Sequence, residues 1–153
     1  MKIPYFRQEK IWTCGAAVIR MVLASFNIKR SEGQLVRMLR TSKRVGVKNK
    51  RFSEIAERFK LSYIVRRNSN IRQLKRYLNK KFIIIVHYYV PKLGEDHYSV
   101  VSRVSKERIF LLDPWFGENY SIDLDKFIKL WKENPKSGKE KHWFIGIKED
   151  LDN

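Results

Sequence analysis

At 153 residues the chain has the length of one ordinary domain, and a hydrophobic share of 43%, with 9 Phe, 7 Tyr and 4 Trp, suffices for a core. This composition excludes an intrinsically disordered protein, and the single cysteine excludes an intrachain disulfide. Because the chain also lacks a signal-like or membrane-length apolar run, we expect a cytoplasmic protein without a transmembrane segment.

The charge balance is strongly basic. There are 33 Lys and Arg residues against 16 Asp and Glu residues, which gives a net charge of +17. Such a charge predicts weak, non-specific binding of polyanions. The basic residues are spread along the chain in small groups, a distribution more typical of a solvated surface than of a specific nucleic-acid interface.

The first half of the chain predicts helices. Cys14 to Phe26 is a mostly apolar run of helical length without strand alternation, which indicates a buried core helix. Ser31, followed three positions later by Gln34, forms a capping-box pattern that predicts a second helix to about Arg40. A short strand is predicted at Leu61 to Val65, between two further helices. The apolar positions of these helices are Phe52, Ile55, Ala56 and Phe59 in one, and Ile71, Leu74, Tyr77 and Leu78 in the other, which begins at about Asn70.

The second half of the chain predicts strands. Three short segments are rich in β-branched and aromatic residues and are separated by turn-like or charged pieces. They are Phe82 to Val90, His97 to Val104 and Arg108 to Asp113. A helix from about Asp123 to Lys132 and a last strand from His142 to Lys148 follow.

This order of elements predicts an α+β fold, in which N-terminal helices pack on one face of an antiparallel β-sheet. No internal repeat, low-complexity stretch or linker rich in Pro, Gly or Ser interrupts the sequence. Residues 1–150 are therefore predicted to form a single domain.

Cys14 lies where the irregular N-terminal segment meets the predicted core helix, directly before Gly15. The positive end of a helix dipole and its free N–H groups stabilise a thiolate. This placement favours a nucleophile, although an isolated cysteine beside apolar residues is more often a small buried hydrophobe. A base and an orienting carboxylate would decide between the two interpretations.

His97 and Asp113 supply such a pair if the predicted strands His97 to Val104 and Arg108 to Asp113 form a hairpin with its turn centred near Ser105. Each lies eight residues from Ser105, so the two would be directly opposite and within reach of a hydrogen bond. The core helix is expected to pack on the same face and bring Cys14 to His97. The other residues predicted on this face are Ser99, Val101, Ile109 and Leu111. Taken singly, His97 could be a surface residue and Asp113, before Pro114, a turn starter.

The segment from Gln8 to Ala17 (QEKIWTCGAA), followed by His97 to Val101 (HYSVV) and by Asp113 with Pro114, resembles the C39 family of papain-like cysteine peptidases. These are the bacteriocin-processing, or double-glycine, peptidases and their stand-alone relatives. The resemblance extends over nearly the whole chain. Its most specific part is the Gln six residues before Cys-Gly, combined with His and Asp-Pro at hairpin spacing.

The resemblance implies a papain-like fold and a cysteine peptidase without a cofactor. Cys14 would be the nucleophile, His97 its base and Asp113 the orienting carboxylate, while Gln8 would complete the oxyanion hole. The implied substrate is a peptide or protein, cut after a Gly-Gly or Gly-Ala pair in a narrow groove. Thr13 stands where many relatives carry an acidic residue. With no GxxxxGK[ST] phosphate loop in the sequence, a stand-alone domain is expected.

Other interpretations remain at this level. The same three residues serve acyl transfer in transglutaminase-like enzymes, and a non-catalytic module could bind leader peptides or nucleic acid. Trp12 and Trp115 either line the groove or belong to the core. A metal site formed by His87, His97 and His142 is disfavoured because the sequence has no paired ligand spacing.

Overall fold

The computed structural model describes residues 2–136 and 138–151. Within these residues the chain forms five α-helices and six β-strands. The helices are α1 (Cys14–Ser25), α2 (Glu32–Met38), α3 (Lys50–Arg58), α4 (Ile71–Asn79) and α5 (Leu124–Leu130). The strands are β1 (Ser62–Arg66), β2 (Ile83–Val90), β3 (Glu95–Val104), β4 (Arg108–Asp113), β5 (Gly117–Asp123) and β6 (Phe144–Lys148). None of these helices has the length and apolar character needed to cross a membrane.

Two of the predicted helix starts, at Ser31 and at about Asn70, are confirmed and carry capping contacts. Ser31 accepts a hydrogen bond from the backbone N–H of Gln34, and the Gln34 side chain accepts one from the backbone N–H of Ser31, which completes the capping box. Asn70 caps α4 by accepting a hydrogen bond from the backbone N–H of Gln73. Local sequence therefore determines where these helices begin.

The strands form one antiparallel sheet with the order β1-β6-β2-β3-β4-β5. Strand β5 was not predicted, because its sequence GENYSID contains residues that are depleted in strands. It lies at the edge of the sheet, where it pairs with β4 and leaves much of its surface exposed. Polar residues are tolerated there because an edge strand is solvated.

Helices cover both faces of the sheet, and the α+β class is confirmed. On one face, α1, α2 and α3 pack against Ile85 of β2 and against Tyr98 and Val100 of β3. On the other face, Leu74 of α4 and the apolar side of α5 pack against alternate residues of β2 such as Val86. The first three helices thus pack together on one face, whereas α4 and α5 bury the other.

The predicted register of the β3–β4 hairpin is wrong. Ser105 donates its backbone N–H to the carbonyl of Arg108, so the turn is centred after Ser105 and Val104 pairs with Ile109. A register shift between Val101 and Arg103 then changes the alignment. Asp113 is consequently not directly opposite His97.

The predicted packing face of the core helix is also wrong. Val100 pairs with Leu112, and continuing that register brings Asp113 level with Ser99, on the same face as His97. Helix α1 packs on the opposite face, against Tyr98 and Val100. The pattern of apolar residues did not distinguish the faces, because both are buried.

Candidate active site

Cys14 is the first residue of α1 and is partly exposed. The backbone of the following residue is closely covered, since a Cβ at Gly15 would lie 2.9 Å from Cγ2 of Val47. Glycine therefore allows the segment that contains Val47 to approach the N-terminus of α1. This approach forms one wall of the space in front of the Cys14 side chain.

His97 interacts with both of the other residues predicted for the triad. Its Nε2 lies 2.9 Å from Oδ1 of Asp113, and its side chain is close enough to Cys14 for that residue to raise the pKa of His97. Because Nε2 is directed to Asp113, Nδ1 is the nitrogen left for Cys14. His97 is only 4% exposed and Asp113 is fully buried, so the contact between these two side chains is shielded from water.

The environment of His97 favours its protonated form. Burial is the largest effect and lowers the pKa, but the hydrogen bond to Asp113, the nearby Cys14 side chain and the negative charges of both groups raise the pKa to about 10. The imidazole therefore carries a proton at neutral pH. An imidazolium next to a cysteine stabilises the thiolate form of that cysteine.

Asp113 is fully buried, and both oxygens of its carboxylate are hydrogen-bonded. Oδ1 accepts from His97 and from the backbone N–H groups of Trp115 and Phe116, at 3.0 and 2.9 Å. Oδ2 accepts from the hydroxyl of Tyr88 at 2.6 Å. Burial raises the pKa of Asp113, but these hydrogen bonds and the charge of His97 hold it below its usual value.

Tyr88 was not predicted as a site residue. It lies on β2 directly opposite His97, is 1% exposed and contacts the His97 ring edge to face. Its hydroxyl supports Asp113 from the side opposite the histidine. A buried tyrosine needs a hydrogen-bond partner, but the sequence alone does not identify that partner.

The N-terminal segment is attached to the residues around Asp113. The Tyr5 hydroxyl donates to the carbonyl of Asp113 at 2.6 Å, and the backbone N–H of Gln8 donates to the carbonyl of Pro114 at 3.0 Å. These bonds bring Gln8 to the same end of the sheet as Asp113, although the two are far apart in sequence.

The amide of Gln8 is held by its own segment. Nε2 donates to the carbonyls of Lys10 and Ile11, at 2.8 and 3.0 Å, while Oε1 is buried without a hydrogen-bond partner. Exchanging the two amide atoms would place Oε1 against two carbonyl oxygens, so the hydrogen bonds determine the orientation. Gln8 is 6% exposed and lies six residues before Cys14.

A cleft of about 400 Å³ opens beside Cys14. One wall comes from the segments before α1 and between α2 and α3, and the other from the adjoining ends of β2 and β3. The lining residues are Ile11, Trp12, Cys14, Lys43, Arg44, Val45, Gly46, Val47, His87, Gly94, Glu95, Asp96, Tyr98 and Asn134. Trp12 thus lines the cleft, whereas Trp115 contributes its backbone N–H to Asp113.

The three histidines have separate surroundings. Nδ1 of His87 lies 2.9 Å from Oδ1 of Asn49, and its Nε2 lies 3.2 Å from Oδ1 of Asp96 without the geometry of a hydrogen bond. Nδ1 of His142 lies 2.7 Å from the carbonyl of Ser69. Among residues 2–136 and 138–151, no group of three or more His, Cys, Asp or Glu side chains is arranged to hold a metal ion.

Solved structures of the same fold come from peptidase domains. The peptidase domain of Streptococcus ComA, a bi-functional ABC transporter involved in a quorum sensing pathway, is 18% identical, with a TM-score of 0.76 over 97% of this chain and 100% of that chain. A double glycine motif protease from an AMS/PCAT transporter, in complex with the leader peptide, is 20% identical, with a TM-score of 0.73 over 97% and 93%. A putative C39-like peptidase from Bacillus anthracis is 10% identical, with a TM-score of 0.73 over 97% and 96%.

A comparison with curated protein sequences gives no match. The model of the Peptidase C39 family, in contrast, matches residues 2–135. This match covers most of the chain, and the fold agrees with it. The chain therefore belongs to the peptidase C39 family.

Proposed function

We propose that this protein is a cysteine peptidase that hydrolyses a peptide bond after a pair of small residues, of the Gly-Gly or Gly-Ala type. Cys14 acts as the nucleophile, His97 as the general acid and base, and Asp113 as the orienting carboxylate. The main support is the contact of one buried imidazole with both Cys14 and Asp113. Membership of the peptidase C39 family agrees with this chemistry.

The first half of the reaction forms an acyl-enzyme. The sulfur of Cys14 attacks the scissile carbonyl carbon, and the carbonyl oxygen takes up negative charge. When the C–N bond breaks, His97 gives its proton to the leaving amine. The raised pKa of His97 keeps that proton available at neutral pH.

The second half releases the carboxylic acid product. His97 removes a proton from a water molecule, the resulting hydroxide attacks the thioester carbon, and the C–S bond breaks to restore the thiolate and the imidazolium. Asp113 keeps the imidazole ring oriented through both halves, because its Oδ1 stays bonded to Nε2.

Gln8 and the backbone N–H of Cys14 are the proposed donors to the oxyanion. As the first residue of α1, Cys14 has a backbone N–H that lies outside the regular helical hydrogen bonding. The amide of Gln8 donates to two carbonyls in the free protein, so one of these bonds must give way to the oxyanion. An oxyanion donor of this kind contributes about 3 kcal/mol to transition-state stabilisation in comparable enzymes.

The peptide is proposed to bind in the cleft beside Cys14. The double glycine motif protease from the AMS/PCAT transporter, which has the same fold, was crystallised with the leader peptide, and this supports a peptide ligand for this chain as well. Gly46 is one of the lining residues and adds no side chain to the wall of the cleft. A scissile bond preceded by small residues would fit close to this wall.

The pairing of Cys14 with His97 can be tested without knowing the substrate. The chain has one cysteine, so iodoacetamide labels a single thiol. At pH 6 we expect His97→Ala to be alkylated at least about tenfold more slowly than the wild type, because the imidazolium that favours the thiolate is lost. His142→Asn serves as a control, since His142 has its own partner and a positive φ that asparagine tolerates. Equal rates in the wild type and His97→Ala would contradict the pairing.

Hydrolysis itself is tested with synthetic peptides. We expect wild-type protein to cut peptides that contain Gly-Gly or Gly-Ala, to cut them far better than peptides with Leu-Leu at the same place, and to lose this activity in Cys14→Ala. If Cys14 is reactive but an added amine rather than water takes the acyl group, the enzyme is an acyltransferase. No turnover together with an unreactive Cys14 would support a binding module.

A further inference from the structure

Glu32 is a buried acid that lies outside the proposed triad. It is the first residue of α2 and is only 3% exposed, although glutamate is almost never fully buried without partners. The capping box at this helix end is formed by Ser31 and Gln34, so capping does not explain the Glu32 side chain.

The partners of Glu32 lie in the segment that links Gln8 to Cys14. The backbone N–H of Glu9 donates to both oxygens of the Glu32 carboxylate, at 3.0 and 3.2 Å. The Thr13 side chain also interacts with this carboxylate and lowers the pKa of Glu32, while its hydroxyl donates to the carbonyl of Lys10. Glu32 thus contacts the residue after Gln8 and the residue before Cys14.

Several hydrogen bonds of this segment are internal to it. Gln8 donates to Lys10 and Ile11, and Thr13 exchanges hydrogen bonds with Lys10. These bonds keep the segment compact but do not set its place relative to the helices. The hydrogen bonds of Glu32 connect the segment from Gln8 to Thr13 to α2, which packs against α1 in the same core.

Stability alone does not explain an acid at this position. Burial is the largest effect and raises the pKa of Glu32, and the charge of Glu9 acts in the same direction. The Glu9 N–H, Thr13 and Arg20 lower the pKa without cancelling the rise. A carboxyl group whose folded pKa is raised makes its ionised form unfavourable for the fold at neutral pH.

We infer that Glu32 is a positioning residue, which holds the segment from Gln8 to Thr13 in place so that the Gln8 amide and the Cys14 backbone N–H converge on one oxyanion. The role of that oxyanion rests on the proposed function. Glu32 acts through the backbone of Glu9 and the side chain of Thr13 and touches no reacting atom. Small displacements of groups that stabilise a transition state lower the turnover rate strongly.

The test compares Glu32→Gln and Glu32→Ala with wild type. Glutamine keeps the volume and one acceptor oxygen, whereas alanine removes both acceptors, so the effect should be graded. Glu54→Gln is the matched control, because Glu54 pairs with Arg51 on α3 and its side chain is half exposed. Three quantities are measured: hydrogen exchange of residues 9–13, the alkylation rate of Cys14, and kcat and KM for a Gly-Gly peptide.

We expect exchange in residues 9–13 to rise at least about tenfold in Glu32→Ala, with a smaller rise in Glu32→Gln and none in Glu54→Gln. We expect kcat to fall at least about tenfold in Glu32→Ala, while KM and the alkylation rate stay within about threefold of wild type. A purely structural residue would instead raise exchange across the whole chain and lower the alkylation rate together with kcat.

Two results would overturn the inference. One is unchanged exchange in residues 9–13 of Glu32→Ala, and the other is raised exchange there with an unchanged kcat. If the wild type cuts no peptide, the proposed function fails, but the exchange of residues 9–13 still decides whether Glu32 holds the segment.

Discussion

Replacing Tyr88 by phenylalanine removes one hydroxyl from the support of the triad and leaves the ring in place. The hydroxyl donates to Oδ2 of Asp113 at 2.6 Å, and Asp113 is fully buried, so water does not take its place. Oδ1 keeps its bonds to His97, Trp115 and Phe116. The variant therefore isolates the contribution of a single charged hydrogen bond.

A buried hydrogen bond to a charged group contributes about 2–3 kcal/mol to the free energy of unfolding. For a domain of this length, each kcal/mol corresponds to about 2–4 °C in Tm, so we expect Tyr88→Phe to melt about 4–12 °C below wild type. The Tyr88 hydrogen bond is one of the interactions that lower the pKa of Asp113 from its ordinary value of 3.8. Its loss raises the folded-state pKa of Asp113.

The sign of the pH dependence follows from this shift. A carboxyl group with a lowered folded pKa contributes stability above its unfolded pKa and loses that contribution as the pH falls through the folded pKa. Tyr88→Phe reduces this contribution, so its deficit relative to wild type should be largest near pH 7 and smaller at pH 3.

The assay is guanidinium unfolding of both proteins at pH 7 and pH 3. Tyr77→Phe is the control, because Tyr77 also hydrogen-bonds through its hydroxyl, to Arg66, but lies on α4 away from the triad. A deficit for Tyr88→Phe that is the same at both pH values, or no larger than that of Tyr77→Phe, would refute the reasoning.

Two further predictions concern Cys14's neighbours. Gly15→Ala should destabilise the protein by about 1–3 kcal/mol in denaturant unfolding, because the new Cβ overlaps Cγ2 of Val47. Adding Val47→Ala to Gly15→Ala should recover most of this loss. A double variant as unstable as the single one would contradict the overlap. Because the folded pKa of His97, about 10, lies above its ordinary 6.5, its protonated form stabilises the fold fully below pH 6.5 and less as the pH rises through 10. Between pH 7 and pH 10 the free energy of unfolding should therefore fall more for wild type than for His97→Asn, and parallel curves would count against the ion pair.

The sequence predicted most of the elements, because their signals are local. The capping box at Ser31 and the helix start at about Asn70 are present as expected, and each depends on a side chain that caps a residue three positions later. Strand β5 was not predicted, because its pairing with β4, and not its composition, makes it a strand.

The contacts between the candidate site residues could not be predicted from local sequence patterns. The sequence led to Cys14, His97, Asp113 and Gln8 through their spacing and their likeness to a family, and the structure brings His97 into contact with both Cys14 and Asp113. The reason given for the pairing of His97 with Asp113 was nevertheless wrong. The two are diagonal rather than opposite, yet they share a face, and side chains of this length can meet diagonally.

The irregularity in β3 explains why they share that face. Near the turn, Val104 pairs with Ile109, and continuing that register would bring Asp113 level with Val100, on the face that packs against α1. The register shift between Val101 and Arg103 moves the alignment by one residue and returns Asp113 to the face of His97. Nothing in the local sequence marks this shift.

The sequence by itself determined the chain's local structure and the residue types available for chemistry. The tertiary structure alone decided which of them meet, including the support of Asp113 by Tyr88 and the contact of Glu32 with the segment before Cys14. The physical reason is that helix caps and strand propensities act over a few residues, whereas hydrogen bonds across the sheet depend on register and on which face each helix covers.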